Sequence, residues 1–73
     1  DQDVLDAQYW QSARLLARGH YESGMDGLLD ILRADKNYRN GEPREVMLGM
    51  LALLGEDDTR TREYRGELAS VLY

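Results

Sequence analysis

The chain has no cysteine, one proline, no long apolar run and too few basic residues to balance its acidic ones. Each shortage closes off a class of function. Without cysteine there is no disulfide framework, thiol nucleophile, thiolate-bound metal or CxxC redox pair. The missing thiols fit a reducing cytoplasm without requiring one. Nine lysines and arginines face fourteen aspartates and glutamates, for a formal charge of −5. Nucleic acid and anionic membrane both recruit basic side chains, so the balance argues against either partner. No stretch approaches the roughly 20 apolar residues of a membrane span. The start, Asp1-Gln2-Asp3, lacks the basic leader and apolar run of a signal peptide, and no initiator methionine precedes it. The chain therefore reads as a piece of a longer protein. Its 73 residues support one domain around one core.

What is present is helical periodicity. Apolar residues recur at three- and four-residue steps in four segments, predicting helices over about 2–18, 21–34, 43–54 and 58–72. In the first, Leu5, Tyr9, Ser12, Ala13 and Leu16 share a stripe, with Trp10 and Ala17 widening it. Gly19 stands where a left-handed C-cap glycine belongs, and Arg14 and Arg18 suit the negative end of the helix dipole. In the second, Tyr21, Gly24, Met25, Leu28, Ile31 and Leu32 face inward. Gly24 marks close approach of another backbone, while Gly27 points further out.

Asp35 to Glu42 is polar and reads as a loop anchored on Tyr38. Pro43 fits the first position of the third helix. That helix is apolar nearly all round through Val46, Met47, Met50, Leu51, Leu53 and Leu54, and is expected at the centre of the fold. Gly55 stops it, and Asp58 caps the fourth helix, whose stripe is Tyr64, Leu68, Val71 and Leu72. Strict alternation never lasts, so no strand is predicted. The fold class is all-α: four helices in two antiparallel α-hairpins.

No chemical constellation emerges. His20 has only Glu22, Asp26 and Asp30 nearby and reads as an exposed turn residue, not a metal ligand or base. Asp57-Asp58 lacks calcium-loop spacing and is explained by helix capping. Arg60, Arg62 and Arg65 alternate with Glu63 and Glu67, the mark of a solvated charged face. Two of Met25, Met47 and Met50 belong to the core. Gly41-Glu42-Pro43 is a helix approach without the lysine and hydroxyl of a phosphate loop. No catalytic, cofactor or metal residues are predicted, and the chain is not expected to be an enzyme.

Gly19, Tyr21, Gly24, Leu28 and Ile31 follow the turn-and-second-helix order of tetratricopeptide repeats, and the hairpin resembles that family. It departs from the pattern at Gln8, Gln11 and Ser12 in the first helix, and at Lys36 in place of the closing proline. From Leu15 onward the chain resembles something narrower, the end of thioredoxin-like co-chaperones that carry such a domain (the chaperedoxin type). The residues that carry this are Leu16-Ala17-Arg18-Gly19-His20-Tyr21-Glu22, Leu28-Leu29-Asp30-Ile31 with Asp35, and Gly41 with Arg44-Glu45. Leu53-Leu54-Gly55 with Asp57-Asp58, Tyr64-Arg65 and the close Leu68-Ala69-Ser70-Val71-Leu72-Tyr73 complete it.

The resemblance implies a protein with an N-terminal thioredoxin-like domain that binds unfolded clients in the cytoplasm and passes them to a chaperonin. It implies docking through the last helix, with Tyr64, Arg65, Leu68, Ala69, Leu72 and Tyr73 as partner-binding residues. Leu68 and Val71 are expected to pack inward, leaving Leu72 and Tyr73 available in a helix-in-groove mode. The competing expectation is a structural module that forms a weak homodimer by burying apolar helix faces across a two-fold axis.

Overall fold

The computed structural model describes residues 2–73. Four helices follow in order: α1 (Gln2–Ala17), α2 (Tyr21–Ala34), α3 (Glu42–Leu54) and α4 (Thr59–Leu72), with a 3-10 turn at Tyr38–Gly41 ahead of α3. No strand occurs among the described residues. The helix ends are written in local chemistry. Gly19 adopts a φ of +84°, and the His20 and Gly19 amides donate to the Leu15 and Leu16 carbonyls at 2.9 and 3.1 Å. That is a Schellman close, which satisfies carbonyls the helix would leave bare. Gly55 ends α3 at a φ of +87°. Asp58 caps α4 by accepting from the Arg60 amide at 2.9 Å. Thr61, 1% exposed, donates its hydroxyl to the Gly55 carbonyl at 2.5 Å and ties α4 back to the end of α3. Pro43 lies one position deeper than expected, because Glu42 is already helical and Gly41 is the cap. Its missing amide hydrogen is harmless there, since the first turn's donors have no intrahelical partner.

The third segment is the most apolar, yet α2 occupies the centre. It packs against α1, α3, α4 and the 3-10 turn, and buries Gly24, Met25, Leu28, Leu29, Ile31 and Leu32. Centrality follows from the number of neighbours a helix has. α3 has apolar residues on more sides than its neighbours cover, so Met47 and Leu51 are buried while Leu48 and Leu53 stay 47% and 66% exposed. α1 packs mainly on α2 and therefore buries only a narrow stripe of Leu5, Tyr9 and Ser12. Trp10, placed by its spacing in that stripe, is instead 51% exposed, and Ala17 is exposed.

The α1–α2 seam is tight at two glycines. A Cβ on Gly24 would lie 2.6 Å from Leu16 Cδ2 and 3.1 Å from the Ser12 carbonyl oxygen. Gly27, expected to point outward, faces Ser12 Oγ closely enough that a Cβ would collide with it.

The segment before α3 is more ordered than a plain loop. Tyr38 is buried, donates its hydroxyl to Asp6 and sets its ring edge-on to Tyr9 at 5.7 Å. Tyr9 in turn donates to Glu42; burial and then that carboxylate push its phenol up to about 12. Arg39, Asn40 and Gly41 take φ values of +49°, +57° and +82°, a left-handed run that is unfavourable for arginine. Arg39 is held there by its guanidinium, 5.2 Å from the Tyr9 ring centre and 5.5 Å from that of Trp10, and by Glu42 at 3.2 Å. This joint ties α1 to the start of α3. The whole measures 37 × 30 × 15 Å. Among the described residues no helix is long and apolar enough to cross a membrane.

Candidate functional site

α4 is amphipathic along its length, but its two halves do different things. In the first half Tyr64 is 9% exposed, and its hydroxyl donates to Asp26 at 2.9 Å and lies 3.3 Å from the Glu22 carbonyl. Burial, with Asp26 adding to it, raises that phenol far above its ordinary value. Leu68, 4% exposed, belongs to the same core as α2. Tyr64 and Leu68 thus hold α4 in place, and their side chains face inward.

The remaining four predicted partner-binding residues converge on the outside. Arg65, Ala69, Leu72 and Tyr73 line a groove of about 320 Å³ between α4 and α3. Leu68 shows an edge of its side chain at the groove floor. The opposite wall is Arg44, Glu45 and Leu48 of α3, which sequence reasoning did not single out as site residues. Leu72 and Val71 are half-buried and packed against the core; Ala69 is exposed, and Tyr73 is fully so.

Two exposed ion pairs edge the groove. Arg65 forms a two-pronged pair with Glu56 at 2.9 and 3.2 Å, which holds the Glu56 carboxyl below its usual range. Arg44 lies 3.5 Å from Glu45. At one end the groove meets a smaller cleft of about 230 Å³, which shares Arg44, Leu72 and Tyr73 and adds Lys36, Asn37, Asn40 and Gly41.

A different cleft, of about 120 Å³, opens between α2 and α4 and is lined by Glu22, Asp26, Arg60, Glu63, Tyr64 and Glu67. Arg60 spans it, pairing with Asp58 at 2.8 Å and Glu22 at 3.5 Å, while Arg33 bridges Asp30 and Glu67 at 3.0 Å each.

The other residues read from the sequence fall as follows. Met25 and Met47 are fully buried in the core and Met50 packs at its edge. His20 is exposed at the α1–α2 turn, and no cluster of three or more acidic or histidine side chains able to hold a metal exists among the described residues. The geometry is that of a shaped, apolar, charge-edged surface. A family model described as a tetratricopeptide repeat matches residues 1–73. No curated protein and no solved structure gave a significant match.

Proposed function

The chain belongs to the tetratricopeptide repeat family, and from that premise we propose that it is a protein–protein interaction module whose working surface is the α3–α4 groove. One observation carries the reading: four of the residues expected to dock gather with Leu48 and Arg44 into a single apolar trough. Apolar side chains gathered in a groove and rimmed by charge form the kind of surface that proteins use to bind one another. The finer reading is a cytoplasmic thioredoxin-like co-chaperone that engages a chaperonin here and delivers unfolded clients. It rests on the resemblance of Leu16–Glu22 and Leu68–Tyr73 to that family.

The docking mode follows from α4's packing. With Tyr64 and Leu68 in the core, α4 cannot leave its seat, so it contributes one wall of a groove and does not insert alone into another protein. Replacing Leu72 and Tyr73 together by aspartate is expected to abolish capture of a chaperonin in a pull-down while far-UV circular dichroism stays helical. Unchanged capture would overturn the reading. Self-association is the second reading, favoured by Val4, Trp10 and Leu53, which are 59%, 51% and 66% exposed away from the groove. Sedimentation equilibrium separates the two, because a strict monomer at high micromolar concentration excludes the dimer.

A further inference from the structure

Charge is divided unevenly between the clefts of this acidic molecule. The α2–α4 cleft is lined by four carboxylates, Glu22, Asp26, Glu63 and Glu67, with Arg60 as its one cation. The α3–α4 groove and the cleft that continues it are lined by three cations, Lys36, Arg44 and Arg65, with Glu45 as the one side-chain carboxylate. Counting Glu56, which pairs with Arg65 at the groove edge, a chain of net charge −5 still leaves one positive charge in excess around its apolar trough, at the Lys36 end. Lys36 has no ion-pair partner among the described residues. The Arg44 and Arg65 pairs are exposed, with arginine side chains 47% and 54% accessible, so exchanging their carboxylates for a partner's costs little.

We infer that the groove takes an amphipathic helix of a partner protein whose apolar stripe is flanked by aspartate or glutamate, with its acidic end over Lys36 and Arg44. This rests on the docking reading above and adds the chemistry of the occupant. Leu48, Leu68 and Leu72 provide the trough for the stripe, and the cations at one end set its direction. A second copy of this chain could reach the trough only with Val4, Trp10 or Leu53, since its carboxylate-rich cleft carries no exposed large apolar side chain, and the sedimentation experiment above tests that occupant.

The test uses two synthetic amphipathic helices with the same leucine stripe, one flanked by glutamates and the other by lysines, titrated against this chain by fluorescence anisotropy. The glutamate peptide is expected to bind at least about tenfold tighter at low salt, with the gap closing as salt rises. The double variant Lys36→Glu/Arg44→Glu should erase that preference, and Arg62→Glu, outside the groove, should leave it intact. Leu48→Asp should weaken both peptides, with circular dichroism confirming the fold. Equal affinities, a lysine preference, no binding of either peptide, or a preference that survives Lys36→Glu/Arg44→Glu would each overturn the inference. Chaperonin capture that depends on Leu72 and Tyr73 alongside unbiased peptides would sink this inference alone. Peptide preference without chaperonin capture would sink only the chaperonin reading.

Discussion

Gly24 and Gly49 both sit inside continuous helices, and they differ in what a methyl group would meet. At Gly24 it would press on Leu16 and on the Ser12 backbone, whereas nothing lies within 4 Å at Gly49. Gly24→Ala should therefore destabilise by about 1–3 kcal/mol through overpacking. Gly49→Ala should stabilise by about 1 kcal/mol through helix propensity. Urea unfolding of the two variants checks both signs. Tyr64 makes a second residue-scale case. Tyr64→Phe removes the hydroxyl bonded to Asp26 and should cost about 1 kcal/mol of stability without changing partner affinity, since that hydroxyl lies in the α2–α4 cleft and not in the groove. Asp58 supplies the pH dependence. Hydrogen bonds from the Arg60 guanidinium, then from its amide, hold the Asp58 carboxyl below its ordinary 3.8. A carboxyl depressed in the folded state stabilises fully above the unfolded value, and that contribution is lost as pH falls through the folded one. Urea midpoints should drop on acidification below about pH 4. Asp58→Asn, which still caps but does not titrate, should flatten the drop.

At the scale of elements, α2 is walled in by three helices and a turn, so its amides around Leu28–Leu32 should be the last to exchange with deuterium, after those of α1 and α4. Slowest exchange in α3 would contradict that arrangement. The helices themselves were legible in the sequence because their signals are local: Gly19, Gly55 and Asp58 act within a turn of where they stand. The inward Leu68 and outward Tyr73 were legible for the same reason. The centrality of α2 was not, since total hydrophobicity ranks α3 first and only the count of neighbours reverses the order. Trp10 was misplaced because period alone does not say how wide a stripe its partner covers. The left-handed run at Arg39-Asn40-Gly41 is invisible in composition, as it depends on Tyr9 and Trp10 arriving from α1. The α3 wall of the groove, Arg44 and Leu48, escaped for a like reason: a groove exists only between two elements, and spacing within one cannot define it.

At the scale of the molecule, the uneven charge predicts how binding should respond to solution conditions. Association of an acidic partner helix should slow as ionic strength rises, while dissociation, governed by the apolar trough, should change far less. Stopped-flow measurements at two salt concentrations would separate the rates. A salt effect confined to dissociation would argue that the cations around the groove do not steer the encounter.

A body 15 Å thick and 37 Å long is a plate. Much of its surface lies on broad faces, and its single core is never far from water. A partner that settles on one face shields that side of the core, so occupancy and folding become linked equilibria. At a hundredfold excess over the dissociation constant, a ligand that binds only the folded plate would add about 2.7 kcal/mol to its stability. The melting temperature of this chain would then serve as a meter of how much partner surrounds it.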